Sequence, residues 1–196
     1  MAEQILDGNG TGYKAKVGND NRLQTRALSE TEVIHNAELG NAYNINTGFI
    51  SVSGDATLVY LKNNSDNNFI ITAIATGAGD GITHSDSPYF TLVRNPTGGD
   101  IITDASPVAM NANRNFGSSR TATVNVYKGK TGGTLTGGDD IAILQAPKTG
   151  RGFYTIDFLL PKGASLGLKV TANLTSGSAN YYAAIIGYFK DDIDAQ

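Results

Sequence analysis

Between Gly152 and Lys190 three apolar runs are cut apart by two groups of turn residues. In the first run Tyr154, Ile156, Phe158 and Leu160 alternate with Thr155 and Asp157, the period of two of a half-buried strand. In the second, Leu166, Leu168 and Val170 alternate with Gly167, Lys169 and Thr171, after a Pro161-Lys162-Gly163 break. The third run sets Tyr182, Ala184, Ile186 and Tyr188 against Tyr181, Ala183, Ile185 and Phe189. With apolar residues on both sides, it predicts a strand covered on both faces or lying at a subunit contact. Read together, the runs predict a β-meander.

Further strand patterns crowd the middle of the chain: Gly48–Ser53, Ala56–Lys62, Phe69–Thr76, Tyr89–Arg94, Thr121–Lys128 and Ile141–Ala146. Between them, Asn63–Asn68, Gly77–Asp86, Asn95–Gly99 and Gly129–Asp140 have the chemistry of loops. Ile101-Ile102 and Val108–Met110 suit short edge pieces, and Asn111–Ser119 suits a long surface loop. About eight or nine strands at this spacing predict an all-β fold, a jelly-roll-like β-sandwich.

Residues 1–46 are polar, rich in Gly and Asn, and too poor in clustered apolar residues to form a core, so they are expected to be an extended N-terminal arm ahead of a sandwich domain at 47–196. Within the arm, Tyr13–Val17 and Arg22–Leu28 are β-capable, while Thr31–Leu39 fits a strand or a turn or two of helix. Such an arm needs a host surface: the domain, a neighbouring subunit or a larger assembly.

Composition narrows the chemistry. Gly contributes 24 residues and Pro 5, and no helical periodicity is sustained. With no cysteine there is no disulfide framework or thiolate metal site, and 2 histidines leave little for zinc or His-based catalysis. A net charge of −3 lacks the basic footprint of a general nucleic-acid binder, so no nucleic-acid partner is expected. The MAEQILDGNG start has no basic n-region leading into an apolar run, and no segment has the roughly 20 apolar residues of a membrane span. A protein made and used without a signal peptide or a membrane is the expectation.

Short motifs give way to plain structural readings. Gly163-Ala164-Ser165-Leu166-Gly167 matches a nucleophile elbow in letters, but an alternating strand follows where a helix is required. Gly129-Lys130-Thr131 resembles the end of a phosphate loop, yet Val124 stands where the earlier glycine belongs. Asp7–Gly12 begins like a calcium loop, with Gly18 in place of the bidentate glutamate. Asp80, His84 and Asp86 share one polar segment, where such residues ordinarily serve as solvated turn formers, and His35 stands apart from them. No catalytic residue, metal or cofactor is expected, and the chain does not read as an enzyme.

Leu6–Ala27, Ala42–Gly48 and Arg94–Ser119, the last containing RNPTGG and NRNFGSS, are similar to segments of virion structural proteins of tailed bacteriophages. The chain thus resembles β-sandwich capsid decoration, or cement, proteins. The resemblance implies a homo-oligomer, a trimer, made in the host cytoplasm, located on the capsid surface of the virion and partnered by the major capsid protein. It also implies that the arm binds the partner. Its interleaved cations and apolar residues, Tyr13, Lys14, Lys16, Val17, Arg22, Leu23, Arg26 and Leu28, are the expected contacts. Because Asp7, Asp20 and Glu30 lie among those cations, the arm suits a solvated surface or an acidic protein partner. An alternative reading is a tail- or vertex-associated, fibre-like module that binds a host glycan through exposed aromatics, with Tyr89 or Tyr181 among them.

Overall fold

A computed structural model describes residues 31–79, 84–103, 110–145 and 150–190. The expected arm contacts Tyr13, Lys14, Lys16, Val17, Arg22, Leu23, Arg26 and Leu28 lie outside the described residues. Helix α1 (Glu32–Glu38) comes first, followed by strands β1 (Ala42–Asn46), β2 (Ile50–Val52), β3 (Ala56–Asn63), β4 (Phe69–Ala78) and β5 (Tyr89–Arg94). A single helical turn, α2 (Asp100–Thr103), precedes β6 (Met110–Asn113), β7 (Val124–Lys128), β8 (Asp139–Gln145), β9 (Gly150–Leu160), β10 (Ser165–Thr171) and β11 (Ala179–Phe189).

The strands form two antiparallel sheets packed face to face. One runs β6-β1-β11-β4-β9, with β2 paired to the start of β11, and the other runs β7-β3-β10-β5-β8. Setting aside β2, β6 and β7, the remaining eight strands lie in the order of a jelly roll, β1-β11-β4-β9 in one sheet and β3-β10-β5-β8 in the other. The expected all-β sandwich is therefore the fold. The three closing runs are strands, as their alternation predicts, but they are not a meander: β9 and β11 are separated by β4, and β10 belongs to the other sheet. Period-two patterning specifies which face a residue occupies and leaves the choice of neighbouring strand open. Here the turn after Leu160 carries the chain across the sandwich. Lys190 closes the last strand on the loop ahead of β4, its N–H donating to the Asn68 carbonyl at 3.0 Å.

Strand β1 lies within the segment expected to be arm. It pairs with β11 on one side and β6 on the other, and Tyr43 and Ile45 enter the core. Its Asn44 and Asn46 face solvent, which is why its composition reads as polar. Thr31–Leu39, open between strand and helix, contains α1, while Ile101-Ile102 lies in α2 instead of an edge piece.

The core fills with the inward side chains of both sheets, among them Leu58, Phe69, Ile74, Phe90, Leu168 and Ile185. Outside the second sheet a satellite cluster of Tyr60, Val93, Ile101 and Leu135 is covered by α2 and the connection between β7 and β8. That connection lies flat on β3: Gly129 N–H donates to Leu58 O and Thr57 N–H to Gly133 O, both at 2.8 Å. A Cβ at Gly129 would overlap the Thr57 carbonyl, so the glycine of the apparent phosphate-loop motif serves close backbone approach.

Candidate interaction surface

The outward face of the first sheet is more apolar than a solvated face requires. From β4 it carries Ile70, Ala73 and Ala75, and from β11 Tyr182, Ala184 and Ile186. Strand β9 adds Phe153 opposite Ala75 and Leu159 opposite Ile70. Phe153 is 65% exposed and Leu159 58%, and both sit on the side of β9 that otherwise presents Arg151, Thr155 and Asp157. Apolar side chains left in water in one contiguous region mark a contact surface more often than isolated ones do.

At one end of this face the Tyr182 ring lies across β4. It can do so because position 77 is glycine: a Cβ there would overlap the ring. Phe49, 63% exposed in the short link between β1 and β2, meets Tyr182 edge to face with centroids 5.5 Å apart. With Asn46 and Arg151 the two rings line a shallow hollow of about 280 Å³. It combines two aromatic faces with one guanidinium, a pairing suited to protein contact.

The other end is closed by α1. Tyr188 donates its hydroxyl proton to Glu32 Oε2 at 2.7 Å, and Lys190 Nζ lies 3.7 Å from Glu32 Oε1. The Tyr188 hydrogen bond, and secondarily the Lys190 charge, hold the Glu32 carboxyl below its ordinary value. Burial first, then the bond to Glu32, pushes the Tyr188 phenol up to about 12. Ile34 and Leu39 on and after this helix remain exposed, extending the apolar character to the edge of the face.

Strand β9 is also an edge strand of eleven residues, and edges of that length are templates for pairing unless they are blunted. A bulge against β4 between Ile71 and Ala73 is one such device. Beside this edge the sandwich opens into an apolar cleft of about 310 Å³, lined by Ile141, Phe158, Leu159, Pro161 and Leu166.

The residues weighed for chemistry are spread apart. Ser165 is buried where β10 begins, with its N–H on Asn95 Oδ1 at 2.9 Å. His84 is buried against Tyr181, Asp86 is exposed, and Asp80 lies outside the described residues. His35 is on α1. No group of three or more potential metal ligands occurs among the described residues. Of the tyrosines expected to be exposed for a glycan, Tyr181 is fully buried and Tyr89 half-buried. Among the described residues, the aromatics that are mostly exposed are Phe49, Phe116 and Phe153. Phe153 had a signal in the sequence, being apolar on the polar side of an alternating strand, whereas Phe49, which the pattern put in a strand over Gly48–Ser53, lies in the link ahead of β2, where alternation gives no direction.

A scan against protein-family models finds no match, and no curated protein matches the chain.

Proposed function

We propose that this chain is a virion structural protein of a tailed bacteriophage, a capsid decoration or cement protein that assembles as a trimer and binds the outer surface of the major capsid protein. The observation that carries the reading is the apolar outward face of the first sheet, with Phe49, Phe153, Leu159 and Tyr182 available to a partner. The likeness of Leu6–Ala27, Ala42–Gly48 and Arg94–Ser119 to phage virion segments supplies the biological context. In this role the mechanism is thermodynamic. A protein that bridges capsomers adds interface only in the expanded shell, and so stabilises that state as any state-selective ligand does.

The test is the copy number of the chain in purified virions relative to the major capsid protein, by quantitative mass spectrometry. A fixed ratio with hundreds of copies supports the decoration role. A handful of copies transfers the protein to the tail or a vertex, and absence from virions removes the assignment.

A further inference from the structure

Strand β9 ends the first sheet, and along its outward side the charges are arranged so that the strand complements itself when read in reverse. We propose that β9 pairs antiparallel with β9 of a second copy, about a two-fold axis at Tyr154, and so joins the two first sheets into one.

An edge strand presents backbone N–H and C=O groups that water or another strand must satisfy. From Arg151 to Asp157 the side chains of β9 alternate strictly, with Arg151, Phe153, Thr155 and Asp157 outward and exposed. Residues directly opposite one another in an antiparallel pair point to the same face, so outward residues of one copy meet outward residues of the other. With the axis at Tyr154, Arg151 stands opposite the partner's Asp157, and Asp157 opposite the partner's Arg151. Phe153 stands opposite the partner's Thr155. Each dimer then holds the opposite-charge pair twice. Among the described residues neither Arg151 nor Asp157 has an ion pair within its own chain.

The neighbouring registers lose this match. An axis at Phe153 sets Arg151 opposite the partner's Thr155, and an axis at Thr155 sets it opposite the partner's Leu159, with Asp157 opposite the partner's Phe153. Charged residues on an edge ordinarily discourage pairing, and here they discourage every register but one. On the inward side the chosen register puts Gly152 opposite the partner's Ile156, small against large. The middle of the strand is already held in place, since the Tyr154 hydroxyl donates to the Gln145 carbonyl at 2.6 Å, so little ordering is required on pairing. The apolar cleft lined by Ile141, Phe158 and Leu159 opens beside the same edge, and Phe153 and Leu159 belong to the apolar outward face. A second strand there removes apolar surface from water as well as satisfying the backbone.

This contact goes beyond the capsid role and does not rest on it: a two-fold pair joins chains, or trimers of them, in twos. The test uses the full chain, which has no cysteine of its own. Phe153→Cys and Thr155→Cys are made separately, both at exposed positions where the melting temperature should hold. Directly opposed residues have Cα atoms roughly 4.5–5.5 Å apart, within reach of a disulfide, whereas the two copies of one position are offset along the strands to beyond roughly 7 Å. Under oxidised glutathione an equal mixture of the two variants should therefore give covalent dimers of unlike chains, about tenfold more than either variant alone. In sedimentation equilibrium Arg151→Glu and Asp157→Arg should each weaken pairing by about tenfold, and the double variant carrying both should restore it. A mixture that does not cross-link overturns the proposal, as does a double variant that stays unpaired. Cross-linking of Phe153→Cys to itself ahead of the mixture overturns the register and with it the charge match. A trimer that gives no cross-link overturns the two-fold pair alone and leaves the capsid reading standing.

Discussion

His84 Nε2 and the hydroxyl oxygen of Tyr181 lie 2.7 Å apart in the interior, joining the segment before β5 to the middle of the closing sequence. The same hydroxyl is 3.1 Å from the Ala172 carbonyl, which can only accept. The tyrosine's one proton therefore goes to Ala172, and His84 must carry its proton on Nε2 to complete the pair. A histidine in metal-ligand company by sequence is thus the donor in a structural network. Tyr181→Phe deletes both bonds and leaves a buried N–H and a buried carbonyl unmatched. A loss of about 2–3 kcal/mol is expected, read as a fall in melting temperature of roughly 5–10 °C. An unchanged melting temperature would show that the network contributes nothing.

The tyrosines also set an alkaline limit. Burial pushes Tyr181 up to about 12, with the Asp55 charge adding to it, and Tyr188 is likewise pushed up to about 12 from an ordinary 10.0. In that window the unfolded chain releases phenolic protons that the folded chain retains, so stability is full below pH 10 and declines as pH rises toward 12. The slope is about 1.4 kcal/mol per pH unit for each tyrosine. Denaturant midpoints measured across this range should fall, and Tyr188→Phe should flatten the decline.

The acid side belongs to α1. Since Tyr188 and Lys190 lower the Glu32 value, the carboxylate adds stability above the ordinary glutamate range and loses it as pH falls through the lowered value. The pair is exposed and its global effect is small. The visible consequence is local: amides of α1 should lose hydrogen-exchange protection on acidification before those of β11. Glu32→Gln should remove the pH dependence at α1; if α1 then keeps the wild-type profile, another group anchors the helix.

The sandwich was legible in the sequence because the strands alternate: β9 keeps strict inward and outward order from Gly150 to Leu159. Partner choice was not legible, since β10 presents the same pattern whether it follows β9 in one sheet or crosses to the other. Strand β1 was hidden by Asn44 and Asn46, whose polarity reflects one solvated face rather than a lack of structure. Tyr181 and Tyr182 show the limit for the site. Adjacency placed them on opposite faces, but only packing shows that Tyr181 is the buried one and that Tyr182 lies over Gly77.

Gly77→Ala tests that last arrangement. The added methyl meets the Tyr182 ring and the Gly150 carbonyl, so the ring must leave β4. A destabilisation of about 1–3 kcal/mol is expected, together with loss of the ring-current shift that Tyr182 imposes on Phe49. Were Tyr182→Ala combined with Gly77→Ala to restore no stability, the clash with the Gly150 carbonyl would be the dominant cost.

Phe153→Asp separates a contact surface from a folding element. The side chain is mostly in water and flanked by Thr155 and Arg151 on its own strand, so its replacement should change stability by no more than about 0.5 kcal/mol. Placed in the centre of a buried interface, an unpaired carboxylate is costly, and truncating an apolar anchor there typically costs about 2 kcal/mol or more. If the proposed capsid role holds, the variant should melt like the parent yet lose self-association by analytical ultracentrifugation, or capsid occupancy, by at least tenfold. Phe116→Asp is the control, since Phe116 is 99% exposed on a loop beside the β6 edge, away from β9. Equal loss from both variants would point to a general charge effect. Loss from Phe153→Asp alone locates the contact on the first sheet, and loss from neither removes that face from the assembly.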